Sequence, residues 1–251
     1  MLEDHIDVRW GGGNFSLVEC ELALFKEAIQ GKYDYYHLLS GVDIPIKPTN
    51  YILDFFETNR GKEFFSVVND NENKKLIWNN TNFYHLFTRE MKTKLGRVLS
   101  KFKIPSLLIE IQKLLRIYRC EKDAYPLYKG DNWMSITDDA VRCILHNEDF
   151  IKYRFKYTNC PDEIYKQTIL VNSGFGDKVY SPLDNGNSSL RSIDWKRGRP
   201  YTWRFSDLKE LVNSNNIFAH KFSMSVDGEI INVERQYLNP ERKFSCGYLM
   251  S

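Results

Sequence analysis

Apolar positions along this chain switch between helical and extended spacing. Residues 15–29, FSLVECELALFKEAI, set Leu17, Cys20, Leu24 and Ala28 three and four apart, which predicts one face of a helix. Ser16 with Glu19 three residues on predicts its capping box, and Gly31 its stop. Tyr33–Ser40, rich in β-formers, predicts a buried strand. Pro45 and Pro48 fix their own φ and push their predecessors to extended shapes, so residues 41–48 are expected to form a rigid loop. A short helix over 49–59, capped by Thr49 or Asn50, a strand over Phe64–Val68 and a polar, turn-like stretch over 70–82 follow. Between 83 and 119 the second half reads as an amphipathic helix through Leu107, Leu108, Ile111, Leu114 and Leu115, with Lys and Arg on a solvated opposite face.

Further on, 127–135 is expected to turn into a short strand. Thr137 caps a helix to His146, helped by Asp138 and Asp139 in its first turn. Pro161 suits a first helical position, which puts Asp162 and Glu163 in the first turn and buries Tyr165, Ile169 and Leu170. Residues 190–199 end a strand in a basic turn, Phe205–Ser214 is a helix capped by Ser206, Ile217–Phe222 carries Lys221, and 223–251 is irregular. Short strands alternating with helices, with no repeat or linker, predict an α/β class in a single domain over 1–251.

Composition narrows the chemistry. With 251 residues, 42% hydrophobic and 27% charged, this is a soluble globular composition, large enough for one large domain or two small ones. No apolar run approaches the ~18 residues of a membrane span, and the first residues lack the basic and apolar regions of a secretory signal. Lys and Arg number 35 against 33 Asp and Glu, and a net charge of +2 argues against a nucleic-acid partner. Cys20, Cys120, Cys143, Cys160 and Cys246 are odd in number and scattered, as expected of reduced thiols in a cytoplasmic protein. The histidines form no HExxH pattern and Asp-x-Asp is absent, so no metal site is expected.

Several segments together resemble one family. They are Trp10-Gly-Gly-Gly-Asn-Phe-Ser-Leu-Val-Glu19, Tyr36-His-Leu-Leu-Ser-Gly-Val-Asp43-Ile-Pro-Ile-Lys47, Gly130-Asp-Asn-Trp-Met-Ser135, Pro161-Asp-Glu163-Ile-Tyr-Lys-Gln-Thr168, Leu190-Arg-Ser-Ile-Asp-Trp-Lys-Arg197 and Ile217-Phe-Ala-His-Lys221-Phe222. Their order and wording are similar to the core-2/I-branching β-1,6-N-acetylglucosaminyltransferases, a family that includes the peptide O-xylosyltransferases. The short form is similar to bacterial members, and the likeness runs to about residue 225. The resemblance implies a GT-A-like, Rossmann-like fold, a mixed sheet flanked by helices. It implies an inverting, metal-independent glycosyltransferase that needs no cofactor. The partners would be a UDP-sugar donor (GlcNAc or xylose) and a carbohydrate acceptor, used in the cytoplasm or at the inner face of a membrane. The family usually opens with a βαβ unit before the Trp-Gly-Gly segment, and this unit supplies much of the uridine pocket. The chain starts almost at that segment, so an incomplete donor pocket is expected. The alternative is a non-catalytic carbohydrate- or nucleotide-binding remnant.

Carried over residue by residue, the family's base on the acceptor hydroxyl maps onto Glu163. By itself Glu163 also reads as a first-turn carboxylate stabilised by the helix dipole, and that dipole favours the ionised form. Asp162 is expected to cap the helix or orient a neighbour. Without a metal, fixed cations must stabilise the leaving diphosphate. The family's Lys maps onto Lys221. Its second basic residue falls among Arg197, Lys196 and Arg191, with Arg197 first. Trp133 and Trp195 either pack on sugar faces or belong to the core. Gly130 would admit a sugar closely. Asp43 either accepts from sugar hydroxyls or braces its turn, and Trp10 either approaches the nucleotide or anchors the glycine turn. The reading requires Glu163 and Lys221 to border one cleft.

Overall fold

The computed structural model describes residues 14–68, 70–88, 93–119, 125–180 and 188–232, and every structural statement below concerns those. Trp10, the glycine turn beside it, Cys120 and Cys246 lie outside them.

Helix α1 spans Phe15–Ala28, as its spacing predicts. Its cap is Asn14 rather than Ser16, since the Asn14 side chain accepts from Ser16 N at 2.9 Å. The buried stripe is Val18, Glu21, Leu22 and Phe25, not the predicted one, and Leu24 is exposed. Strand β1, Tyr35–Leu38, is half-buried rather than buried. The expected rigid loop contains a strand, β2, Asp43–Pro45. A proline fits there because β2 is an edge strand.

Helix α2, Thr49–Thr58, starts from Pro48, so neither Thr49 nor Asn50 caps it. Residues 64–68 form no ladder; Phe64 bridges Ser135 and Val68 bridges Lys129. The polar stretch expected to turn is helix α3, Asn71–Thr81, capped by Asp70, whose Oδ1 accepts from Asn73 N at 2.7 Å. It hides from apolar periodicity because it buries only Ile77 beside the polar Asn80 and Thr81.

Helices α4, Lys94–Lys101, and α5, Ile104–Leu114, lead to strand β3, Met134–Thr137. Thr137 caps α6, Asp138–His146, as predicted, and α7, Glu148–Phe155, follows with no prior expectation. Pro161 opens a single 3-10 turn, Pro161–Glu163, ahead of helix α8, Tyr165–Asn172. Strand β4, Arg191–Ile193, ends in the basic turn. Helix α9, Leu208–Asn213, follows a 3-10 turn at Phe205–Asp207. Asp207, not Ser206, closes that start by accepting from Arg204 N at 2.9 Å. Strand β5 is Phe218–His220. Residues 228–232 are helical where irregular chain was expected, and Ile230 and Ile231 are buried.

The class is mixed α/β, and the described residues pack as two compact units. One holds residues 14–37 and 62–188 and pairs β1 with β3. Its α8 packs on α6 and on the Pro161–Glu163 turn, which touches α1. Tyr165, Ile169 and Leu170 are buried there as predicted. The other unit, residues 38–61 and 189–232, has sheet order β2-β5-β4. β5 runs antiparallel to β2 and parallel to β4. Ile46, Trp203, Leu211, Ala219, Phe222, Ile230 and Ile231 form its core.

Candidate active site

In the first unit the chain bends through Cys160, at φ 48°, into Pro161. The Glu163 carbonyl then accepts from Gly130 N at 2.9 Å, tying the turn to the segment before β3. Lys129 Nζ lies 2.7 Å from Glu163 Oε2. The Glu163 side chain stays 38% exposed, so one carboxylate edge is held and the rest is open. Gly130 is explained within the fold: a Cβ there would sit 1.9 Å from the Ser66 carbonyl oxygen. Trp133 is partly buried at the start of the same strand segment.

Asp162, next door, is in a different environment. It is buried, and its Oδ1 finds no hydrogen bond. Burial pushes its carboxyl up to about 6; the Lys166 ammonium pulls it down, and the carboxylates of Glu21 and Glu163 push it further up. Its carbonyl, not its carboxylate, does the orienting, by accepting from Lys166 Nζ at 2.9 Å. Lys166 is fully buried, with Nζ 2.6 Å from Glu21 Oε2 and bonded also to Asn132 Oδ1. Tyr165 donates to the same Glu21 oxygen at 2.8 Å. Burial, then the Glu163 carboxylate, pushes the Cys160 thiol up to about 11. It stays a thiol at neutral pH and offers no nucleophile.

In the second unit, Asp43 is engaged by the fold. Its Oδ1 is 2.6 Å from His220 Nδ1 and its Oδ2 accepts from Ser40 N at 2.5 Å, across the β2–β5 register. Arg191 is buried; its guanidinium stacks on Phe218 at 4.4 Å and donates to the Ser189 carbonyl. Arg197 is clamped by three carboxylates: Asp194, Asp207 at 2.8 Å and Glu210 at 3.0 Å. It also lies over Tyr201 and Trp203. Hydrogen bonds to Asp194 and then Asp207 raise its proton affinity, while Arg197 in turn lowers Asp194 to about 2. Trp195 and Lys196 are exposed in the same turn, and the Lys196 backbone N–H donates to Asp194. Lys221 follows β5. Its carbonyl accepts from Trp203 N at 2.9 Å, while its ammonium meets no partner among the described residues.

The fold therefore gathers Glu163, Gly130 and Trp133 in one unit and Asp43, Arg191, Trp195, Lys196, Arg197 and Lys221 in the other. An open depression lined by Ser192, Trp203, Ser206 and Lys209 includes none of these predicted residues. Among the described residues no group of three His, Cys, Asp or Glu side chains converges as a metal site, and no helix is long and apolar enough to cross a membrane.

Sequence reasoning missed Lys129, Glu21, Lys166 and His220. Two signals pointed to the buried pair. Lys166 stands four residues after Asp162, directly after Ile164 and Tyr165, and Glu21 stands between Val18 and Leu22 on the true buried stripe.

The profile of the Core-2/I-Branching enzyme family matches residues 1–213. Xylosyltransferase 2 of Rattus norvegicus is 23% identical over 243 residues, covering 89% of this chain. The chain spans about a quarter of that relative's length, 26%.

Proposed function

Because the chain belongs to the Core-2/I-Branching enzyme family of glycosyltransferases, we propose that it moves GlcNAc or xylose from a UDP-sugar to a carbohydrate hydroxyl. The name of the rat relative favours xylose. The transfer inverts the anomeric centre and uses no metal or cofactor. Glu163 takes the acceptor proton as that oxygen attacks from the face opposite the leaving diphosphate. A carboxylate so positioned contributes ~10²–10⁴-fold. The observation that carries this reading is the contrast at Pro161–Glu163: Asp162 is buried, whereas Glu163 is held by Lys129 on one side and open on the other.

The diphosphate charge falls to Lys221, whose ammonium is uncommitted, with Lys196 as the second cation. Arg197, first choice from the sequence, is fully engaged and braces its turn, and the buried Arg191 braces β4. Asp43 serves as a brace for His220. The exposed Trp195 is the aromatic face offered to a sugar ring, and Trp133 is partly buried.

The engagement of Asp43 and Arg197 favours one second reading, a protein that binds nucleotide or glycan without turnover. UDP release from UDP-xylose and UDP-GlcNAc with carbohydrate acceptors separates the two. Glu163→Gln should slow release by ~10²–10⁴-fold. Equal rates in the two forms would remove Glu163 as the base, and UDP binding with no release would leave the binding-only reading.

A further inference from the structure

Where the sequence reads as one amphipathic helix with a solvated Lys and Arg face, the structure has the two helices α4 and α5, and most of the apolar positions are exposed along with the cations. Leu95, Val98 and Phe102 recur along one side of α4, and Leu107, Ile111 and Leu114 along one side of α5, all exposed; Phe102 is 68% and Leu114 82% exposed. The residue that α5 buries is the polar Gln112, whose side chain bonds the Tyr84 backbone at both N and O. Along the hairpin, residues 94–114, Lys94, Arg97, Lys101, Lys103 and Lys113 stand against a single Glu110, a local charge of +4. The whole chain carries +2, so all the rest carries −2.

An apolar stripe flanked by cations on short helices suits a surface that is greasy below and anionic above. We propose that the α4–α5 hairpin docks on an anionic lipid bilayer, lying in the headgroup region with its apolar stripes inserted and its Lys and Arg on lipid phosphates. Charge complementarity selects this occupant: a neutral apolar protein groove would leave the hairpin's +4 uncompensated, and a nucleic-acid backbone would leave the stripes in water. The helices are 8 and 11 residues long, so they lie on a membrane and do not cross it. The inference does not depend on the transferase reading, because no residue of that site is in the hairpin.

Sedimentation with vesicles of phosphatidylglycerol and of phosphatidylcholine tests it. The protein should bind the anionic vesicles, bind phosphatidylcholine at least tenfold more weakly, and release as salt rises. Each cation at such a surface is worth about fivefold, so Lys101→Gln with Lys103→Gln should weaken binding ~25-fold. Phe102→Ser with Leu114→Ser should weaken it by roughly tenfold or more, with the melting curve unchanged because both side chains are exposed. Equal binding to both vesicles, binding to neither, or phosphatidylglycerol binding that ignores the Phe102/Leu114 change would overturn the proposal. So would a dimer that this change dissociates, since a second copy would then cover the stripes.

Discussion

The acidic pair at 162–163 and the basic set at 191, 197 and 221 pose the same problem with opposite sign, and the fold solves it differently in each. At the acidic pair, burial does the sorting. Asp162 is taken out of water and its carboxyl rises to about 6, while Glu163 stays open beside Lys129. At the basic set, Arg191 is buried against Phe218, and pairing sorts the other two. Arg197 stays at the surface but is consumed by Asp194, Asp207 and Glu210, and Lys221 is left over. What remains is Glu163, held by Lys129 on one edge and open on the other, and the Lys221 ammonium. Burial pushes the Asp162 carboxyl toward its neutral form, whereas pairing holds Asp194 and Arg197 in their charged forms.

The strongest way to break this contrast is at the buried side. Lys166→Met strands the Glu21 carboxylate without its ammonium and should cost ~3–5 kcal/mol in urea unfolding. A loss under ~1 kcal/mol would mean that the pair is wet and that burial does not organise the acidic segment.

Asp162→Asn tests the same burial through pH. Its carboxyl holds its proton more tightly folded, at about 6, than an ordinary Asp at 3.8. Its favourable contribution is therefore complete below pH ~4 and is lost as pH rises through ~6. The Asn form should be more stable than wild type by about 3 kcal/mol at pH 8, and the gap should close near pH 4. A gap independent of pH would show that Asp162 titrates normally.

The smallest effect is on ligand binding at the other unit. Lys221→Ala should weaken UDP about tenfold by calorimetry with no change in melting, in line with loss of one charge-assisted contact. Arg197→Ala should lower the melting temperature and leave UDP affinity alone. The reverse pattern would return the diphosphate to Arg197.

Much of the framework was open to reading along the chain. Spacing locates α1, α6 and α8, Thr137 announces its own cap, and the Pro161–Glu163 segment stands out in the sequence. The failures share a cause. The buried face of α1 contains Glu21, so a hydrophobic pattern chose the neighbouring face; only Lys166 and Tyr165, about 145 residues away, make that carboxylate tolerable inside. β2 is three residues long and is a strand because β5, 177 residues on, supplies its ladder and supplies His220 for Asp43. Arg197 and Lys221 look equally free on paper until Asp207 and Glu210 arrive from the next helical segment. Backbone periodicity is a local property and is written in neighbouring residues. Which charges are spent and which stay available depends on partners that folding brings from other elements, whether 10 residues away, as for Arg197 and Asp207, or 145, as for Lys166 and Glu21.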